Sequence, residues 1–222
     1  MDVRMLLIYK TRQGLEVGLN SDELSAEKAL LIAEDLERTG RIKQLELIDQ
    51  QERMWNVKTL KRFIEDIQGE PHNITLYFDG GFNEETKTSG LACVIYYEQN
   101  GRAFRLRKNA KATNLLTNNE AEYAALDLAL RALEQLGVHH LQVKIKGDSQ
   151  VVINQLLGEW PCFEKALNQW ADRIEAKLAG LGLTPDYQLI SRKLNQEADH
   201  LATQALQSID ISSTIELNQG RD

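Results

Sequence analysis

The sequence contains few cysteines, few prolines and no long apolar segment. Its two cysteines, Cys93 and Cys162, lie far apart and without the spacing of metal ligands, so neither a disulfide framework nor a zinc site is expected. Apolar runs such as Leu91–Tyr97 are too short to span a bilayer. The N-terminus, Met1-Asp2-Val3-Arg4, lacks the charged and then apolar pattern of a signal peptide. We therefore expect a cytoplasmic protein with reduced thiols and no membrane partner.

The composition is that of an ordinary globular protein with a moderate excess of acid. Hydrophobic residues make up 42% and charged residues 27% of the 222 positions, and the formal net charge is −7. This composition excludes a disordered chain or a collagen-like repeat. The acidic balance argues against a strong non-specific nucleic-acid binder. At about 150 residues per domain, the length predicts one large domain or one domain with a small companion.

The position of the first proline predicts where the chain divides. Pro71 is one of three prolines and follows a polar break, Gln68-Gly69-Glu70, so we place a domain boundary within residues 68–73. Residues 1–70 then form a small α+β module. Its predicted elements are strands Arg4–Lys10 and Leu15–Leu19 around a hairpin turn, a helix from Ser25 to Thr39 before Gly40, a strand Lys43–Ile48 and a helix Val57–Ile67.

Residues 73–207 have a different order of elements, typical of an α/β domain. Alternation, helical spacing and turn residues predict the order β-β-β-α-β-α-α-β-α, which is compatible with a five-stranded mixed sheet flanked by helices. Residues 208–222 are polar and are expected to form a loose tail. The predicted elements are Ile74–Phe78, Gly90–Glu98, Arg102–Lys108, Ala121–Leu136, Leu141–Lys146, Ser149–Leu157, Leu167–Ala179, Tyr187–Ser191 and Glu197–Ser208.

Four acidic residues of this domain occupy unusual positions. Asp79 ends the first strand, and Asp148 follows the fourth strand and precedes a helix. Glu122 heads the core-facing stripe of the first helix, and Asp199 lies one position from the apolar stripe of the last helix. Each also has an ordinary interpretation, as a turn residue, a helix cap or a solvated side chain. Considered singly, none of them indicates a site.

The neighbouring Glu120 is better explained as a structural residue. Thr117-Asn118-Asn119-Glu120 has the spacing of a capping box, in which the threonine and glutamate side chains bind each other's backbone amides. Glu122 can also be a cap if Asn119 begins the helix, but that role suits Glu120 better. Glu122 therefore remains the acid without a structural explanation.

The arrangement of the four acids indicates a metal site. If the first and fourth strands of the domain are adjacent and parallel, Asp79 and Asp148 meet at neighbouring strand ends, where open α/β sheets form their sites. Glu122 and Asp199 project from helices that pack on the same sheet. Converging carboxylates repel one another, so a hard divalent cation is the natural counter-charge. Two such ions about 4 Å apart can support phosphodiester cleavage.

Four segments resemble the motifs of type 1 ribonuclease H, in order and with similar spacing over residues 73–207. They are Tyr77-Phe78-Asp79-Gly80-Gly81, Thr117-Asn118-Asn119-Glu120-Ala121-Glu122-Tyr123, Gly147-Asp148-Ser149-Gln150 and Asn195-Gln196-Glu197-Ala198-Asp199-His200-Leu201-Ala202. The resemblance implies a ribonuclease H-like fold and hydrolysis of the RNA strand of RNA–DNA hybrids by two Mg²⁺ or Mn²⁺ ions. It implies that the metal ligands are Asp79, Glu122, Asp148 and Asp199, and that Gly80, Gly81, Asn118, Asn119, Ser149 and Gln150 contact the hybrid.

The sequence departs from many family members at two places. Where they have a histidine before the last helix, this chain has Ser191-Arg192-Lys193-Leu194, so Arg192 is the candidate for a catalytic role through the phosphate. Where they have a basic, tryptophan-rich handle, residues 157–164 are short and acidic. The chain is thus similar to the handle-less, reverse-transcriptase-like branch from bacteria and archaea.

Two basic clusters allow alternative interpretations. Residues 102–111 contain five cations and no acid, which is typical either of a phosphate-contacting edge or of a solvated strand face. In the N-terminal module Lys58, Lys61 and Arg62 follow Arg53 and Trp55, which predicts a grip on the hybrid, a solvated helix face or a dimer contact. For the whole chain, the alternatives to an endonuclease on hybrids are a non-catalytic nucleic-acid-binding or scaffold protein and a nuclease with another substrate. The oligomeric state is left open.

Overall fold

The chain folds into two compact units. The computed structural model describes residues 1–217, and the chain passes from the first unit, Met1–Gly69, to the second at Glu70. None of the described helices is long and apolar enough to cross a membrane.

The first unit is a five-stranded antiparallel sheet with two helices. Its elements are β1 (Asp2–Lys10), β2 (Glu16–Asn20), β3 (Leu24–Ser25), α1 (Ala26–Arg38), β4 (Ile42–Asp49), β5 (Met54–Trp55) and α2 (Val57–Gly69). The strand order is β2-β1-β4-β5, with β3 paired to β1. As predicted, α1 begins after Ser25, whose hydroxyl accepts a hydrogen bond from the amide of Lys28 (3.4 Å). Val3, Met5 and Leu47 form the core with apolar residues of both helices.

The second unit is built on one mixed sheet. Its elements are β6 (His72–Asn83), β7 (Thr88–Gln99), β8 (Arg102–Ala112), α3 (Asn118–Gln135), β9 (Gln142–Gly147), α4 (Gln150–Leu156), α5 (Lys165–Leu181), β10 (Thr184–Leu189), a 3₁₀ turn (Arg192–Leu194), α6 (Gln196–Leu206) and β11 (Ser212–Leu217). The strand order is β10-β9-β6-β7-β8-β11. Strands β6, β9 and β10 run parallel, whereas β6, β7, β8 and β11 pair antiparallel.

The sheet has six strands rather than the predicted five, because part of the expected tail is a strand. Ser212–Leu217 pairs antiparallel with β8 along the edge of the sheet. The side chain of Asn109 prepares this pairing by accepting a hydrogen bond from the amide of Ile211 (2.7 Å). An edge strand needs no continuous apolar pattern, so the polar segment carries no strong strand signal. The rest of the expected tail, residues 218–222, lies outside the described residues.

Helices pack on both faces of this sheet. Because strand side chains alternate, Ile74, Leu76 and Phe78 of β6 face the core formed with α3, α4 and α5. On the opposite face, Ala92 and Val94 of β7 pack against α6. The sheet is therefore covered by α3 on one side and by α6 on the other.

Two glycines allow these helices to approach the sheet closely. A Cβ atom on Gly80 of β6 would lie 2.2 Å from the backbone carbon of Ala121 in α3. A Cβ atom on Gly90 of β7 would lie 2.0 Å from the backbone oxygen of Ala202 in α6. Such distances exclude any side chain, so both contacts require glycine. They bring the helices that carry Glu122 and Asp199 directly onto the sheet.

We expect Gly80→Ala to lower the free energy of unfolding by about 1–3 kcal/mol. The added methyl group meets backbone atoms of α3, so no side-chain rotation can relieve the overlap. Gly81→Ala is the matched control, because its nearest neighbour would be Leu206 Cδ1 at 3.6 Å, an ordinary contact. Urea denaturation of both variants measures the difference. Equal stabilities would contradict the close packing of α3 on β6.

Candidate active site

Asp79 and Asp148 meet where β6 and β9 lie side by side. These strands are parallel neighbours, with Tyr77 paired to Lys146. Each aspartate stands two residues beyond its member of this pair, so the two lie at the same level of the sheet. Asp148 follows the last residue of β9, whereas β6 continues past Asp79 to Asn83. The prediction that Asp79 ends its strand was therefore wrong, because Asp79 to Asn83 pair with β7.

Glu122 reaches the same place from α3. It lies in the first turns of this helix and is 6% exposed. One of its carboxylate oxygens accepts a hydrogen bond from the backbone amide of Gly80 (3.1 Å). One carboxylate oxygen each of Asp79, Glu122 and Asp148 lies within 4.8 Å of the others. Three of the four predicted ligands thus form a cluster that fits a metal ion.

The capping box predicted for α3 is present, and it separates the roles of the two glutamates. Thr117 is the N-cap, and its hydroxyl accepts from the amide of Glu120 (3.1 Å). The Glu120 carboxylate accepts in return from the amides of Leu116 (2.7 Å) and Thr117 (3.2 Å). Glu120 is therefore engaged by the backbone, while Glu122 faces the aspartates.

Asp199 lies at the rim of the cluster and is paired with Arg192. Its side chain is 35% exposed, and one carboxylate oxygen accepts from the Arg192 guanidinium at 2.7 Å. Asp199 lines the same cleft as the other three acids without joining their close group. The Arg192 side chain, 79% exposed, also lines the cleft. Its guanidinium is bound to a carboxylate rather than free for a phosphate, which the sequence did not predict.

The buried acids resist ionisation. Burial, reinforced by repulsion from Asp148 and Asp199, raises the pKa of Asp79 to about 7. Burial and repulsion from Asp79 and Asp148 raise the pKa of Glu122 to about 9, although the Gly80 amide and Arg192 oppose this. At neutral pH the cluster therefore cannot carry its full negative charge without an added cation.

The predicted substrate contacts divide into two groups. Gly80, Gly81 and Asn118 line the cleft, which has a volume of about 210 Å³, and the side chain of Asn118 accepts from the amide of Phe82 (3.2 Å). The residues Asn119, Ser149 and Gln150 are not among those that line it. Ser149 instead caps α4, since its hydroxyl accepts from the amide of Val152 (3.4 Å).

Asn195 is a residue of the cluster to which the sequence analysis assigned no role. It is 1% exposed, and its side-chain amide donates to one carboxylate oxygen of Asp148 (2.7 Å) and to the backbone oxygen of Phe78 (2.9 Å). An asparagine just before a helix is typical of a cap, but here the side chain makes no capping bond. Its place in the last motif, four residues before Asp199, was the available signal.

The basic residues of β8 mainly stabilise the fold. Arg105 forms an ion pair with Glu197 of α6 (3.0 Å), and the Lys111 ammonium donates to the hydroxyl of Ser208 (3.0 Å) just beyond that helix. The others with a partner are Arg102 with Glu216 and Lys108 with Gln135. These contacts bind neighbouring elements together. They therefore favour neither a phosphate-contacting edge nor a solvated strand face, the two interpretations given above.

Comparison with known proteins shows which class of protein the second unit resembles. Ribonuclease HI of Halobacterium salinarum (strain ATCC 700922 / JCM 11081 / NRC-1) is 32% identical over 132 residues, which cover 59% of this chain and 62% of that protein. The crystal structure of RNase H1 from H. salinarum NRC-1 has a TM-score of 0.52 and 27% identity, over 61% of this chain and 98% of that one. The crystal structure of LC11-RNase H1 in complex with an RNA/DNA hybrid has a TM-score of 0.53 and 26% identity, over 61% of this chain and 98% of that one. The ribonuclease H fold expected from the sequence is confirmed.

The branch within this class is also defined. A family model described as reverse transcriptase-like matches residues 77–205, more than half of the chain. The chain belongs to this family, as expected from the short acidic segment that stands in place of the handle. A relative that matches both units is the uncharacterized protein YpeP of Bacillus subtilis (strain 168), 46% identical over 203 residues, which cover 91% of this chain and 89% of that one.

We expect the metal-free protein to lose stability as the pH rises. The pKa values of Asp79 and Glu122 are raised from 3.8 and 4.5 to about 7 and about 9, so the folded state binds more protons than the unfolded state between these limits. The free energy of unfolding then falls with pH across this window. Asp79→Asn should flatten the profile and stabilise the protein by on the order of 1–3 kcal/mol at about pH 8.

Urea denaturation in the presence of EDTA at about pH 5, 7 and 8.5 measures both profiles. Glu120→Gln is the control, because the amide oxygen of glutamine can still accept the capping bonds. Parallel profiles for Asp79→Asn and the parent would show that Asp79 does not experience the repulsion described above.

Proposed function

We propose that the second unit is a metal-dependent endonuclease that hydrolyses the RNA strand of RNA–DNA hybrids. The observation that carries the proposal is the group of three carboxylates, whose oxygens lie within 4.8 Å of one another in an open cleft. Membership of the family and the likeness to LC11-RNase H1, which was crystallised with an RNA/DNA hybrid, support the substrate class. An intact acidic cluster gives a non-catalytic scaffold no advantage, because its repulsion destabilises the fold.

The residues of the site fit two Mg²⁺ or Mn²⁺ ions. Carboxylate oxygens are the ligands that these hard cations prefer. Burial and mutual repulsion raise the pKa values of Asp79 and Glu122, so a bound cation would relieve the repulsion within the cluster. Asp79, Glu122, Asp148 and Asp199 would hold the ions. Divalent ions supply the activation of the attacking water and the stabilisation of the leaving oxygen.

The remaining parts of the site would orient the hybrid. Asn118 and Gly81 line the cleft beside the acids, and Asn118 is held in place by the Phe82 amide. With no side chain, Gly81 leaves its backbone open to a ribose. Arg192 at the rim would exchange its contact with Asp199 for the phosphate that the cleavage releases.

A cleavage assay on end-labelled substrates tests the proposal. The RNA–DNA hybrid is compared with double-stranded RNA and double-stranded DNA of the same sequence, each with Mg²⁺ and with Mn²⁺. We expect internal cleavage of the RNA strand of the hybrid alone, dependent on the metal. Equal cleavage of double-stranded DNA would instead indicate another substrate. A chain that cleaves nothing and binds neither metal would be a scaffold.

We predict that Asp79→Asn and Glu122→Gln each lower the cleavage rate by at least about a hundredfold, because each removes a carboxylate from the reacting centre. Glu120→Gln is the matched control, a glutamate two positions away in the same helical turn. Its capping bonds survive as amide contacts, so most activity should remain. Single-turnover rates on the hybrid measure all three variants. An equal loss for both glutamine variants would mean that the wrong glutamate has been assigned to the metal.

Arg192→Ala is expected to lower kcat by about two- to fivefold, with little change in KM. An exposed charged contact contributes up to ~1 kcal/mol, which sets this modest scale. Steady-state kinetics on the hybrid separate the two constants. Lys193→Ala, which alters a neighbouring cation of the same 3₁₀ turn, is the control. An unchanged kcat at saturating substrate would remove Arg192 from the reaction.

A contact between the first unit and the hybrid is a further part of the proposal. Most cations of its basic cluster, which comprises Arg53, Lys58, Lys61 and Arg62, are paired with acidic side chains. Lys61 pairs with Glu34 at 2.8 Å, and Arg53 pairs with the buried carboxylate of Asp49 at 2.8 Å. Arg62 lies 3.9 Å from Asp66. Among the described ion pairs none involves Lys58. Binding of the hybrid by this basic cluster should therefore be weaker than its number of cations suggests.

We predict that a chain beginning at Glu70 folds, cleaves the hybrid and has a higher KM. The second unit has its own core, and the loss of Lys58 should make the dependence of log KM on log salt shallower by about one phosphate contact. Assays at several salt concentrations compare the two proteins. Identical salt slopes would show that the first unit does not contact nucleic acid. A difference in mass by light scattering would then indicate that it mediates dimerisation.

A further inference from the structure

The side chain of Asn195 connects Asp148, which follows β9, to the backbone of β6 beside Asp79. One hydrogen of its amide is donated to a carboxylate oxygen of Asp148 (2.7 Å). The other is donated to the backbone oxygen of Phe78 (2.9 Å), which belongs to the peptide group immediately before Asp79. A single planar amide therefore sets the position of the Asp148 carboxylate relative to the backbone of Asp79.

The position of residue 195 favours an uncharged side chain that can donate two hydrogen bonds. Both partners are acceptors, so a carboxylate at residue 195 would leave acceptors facing one another without a proton. A cation would neutralise the charge that is to attract a metal. Asparagine engages one oxygen of Asp148 with a hydrogen bond and leaves its charge in place, and the other oxygen has no hydrogen-bond partner among the described residues. Asn195 is 1% exposed, so water does not compete for these bonds.

The backbone that carries Asn195 is itself anchored. Two residues later, the carboxylate of Glu197 accepts from the hydroxyl of Tyr96 in β7 (2.9 Å) and pairs with Arg105 in β8 (3.0 Å). These contacts bind the first turn of α6 to the sheet. The amide of Asn195 thus acts from a fixed point, which lets it determine where the Asp148 carboxylate lies.

We propose that Asn195 is a positioning residue of the metal site, through which Asp148 is held in the orientation that binds the ions. This inference rests on the proposed function, since it concerns the same four carboxylates. Residues that orient a metal ligand without touching the metal commonly contribute 10- to 100-fold to its affinity. The proposal therefore concerns metal affinity and requires no assay of cleavage.

Mn²⁺ binding to the full-length protein provides the test, and electron paramagnetic resonance measures the free Mn²⁺. Melting temperatures recorded in EDTA report the stability of each variant separately. The variants are Asn195→Ala and Asn195→Ser. Serine keeps one hydrogen-bond donor and is a favourable residue at the start of a helix, so it provides a second folded variant if the alanine variant is unstable. Asp148→Asn removes a ligand itself and shows whether the measured ions bind at this site.

Asn109 supplies the matched control. It is also a buried asparagine, 7% exposed, whose amide donates to the backbone oxygens of Leu201 (2.9 Å) and Ile209 (3.0 Å). It binds the middle of α6 and the segment after that helix, and its described hydrogen bonds involve none of the acids. Asn109→Ala should therefore lower the melting temperature while leaving the Mn²⁺ affinity within about twofold of the parent.

We expect both Asn195 variants to bind Mn²⁺ about tenfold or more weakly than the parent. Their melting temperatures should be no lower than that of Asn109→Ala. If they bind Mn²⁺ within about twofold of the parent while Asp148→Asn does not bind, the inference about Asn195 is wrong and the metal site stands. An equal loss of affinity in Asn109→Ala would reduce Asn195 to a stability role and would also overturn the inference. If Asp148→Asn binds as well as the parent, the proposed metal site itself fails.

Discussion

Repulsion between buried carboxylates is the constraint on which the second unit depends. Asp79 and Glu122 are 8% and 6% exposed, and no cation lies beside them among the described residues except Arg192 at the rim. Like charges in a poorly solvated place separate unless the backbone prevents it. The fold prevents it by placing each acid on a different rigid element and by holding the elements together. The approach of α3 to Gly80 and that of α6 to Gly90 leave no room for a Cβ atom.

The capping role of Glu120 could be predicted from a few neighbouring residues, and the ribonuclease H fold from the order and spacing of the four motifs taken together. A strand, a capping box or a motif is encoded within a few neighbouring residues. The meeting of Asp79 and Asp148 followed from one topological assumption, that their strands are parallel neighbours, which the sheet confirms. Because side chains alternate along β6, Asp79 and Phe78 face opposite sides of the sheet.

The features that were missed depend on contacts between distant segments. Asn195 lies 117 residues from Phe78, whose backbone it binds, and the motif in which it stands does not reveal that contact. Strand β11 exists because Asn109 and the edge of β8 provide its partners, not because its own residues are apolar. The cations of β8 were open to two interpretations because their partners, such as Glu197 and Glu216, lie about a hundred residues away. Pairing of this kind is visible only in the folded chain.

The two sides of the acidic cluster differ in how firmly they are held, and this difference suits a site that must exchange ligands. Glu122 accepts a hydrogen bond from the Gly80 amide, and Asp148 accepts one from the buried side chain of Asn195, so each of these acids has a partner within the fold. Asp199 is held by Arg192, whose side chain is 79% exposed, and an ion pair so well solvated contributes only about 0–1 kcal/mol. In the proposed nuclease a divalent cation would displace Arg192 from Asp199, and the released guanidinium would turn to a phosphate. Under that proposal, the exposed pair would couple the arrival of a cation to the arrival of an anion at the rim of the same cleft.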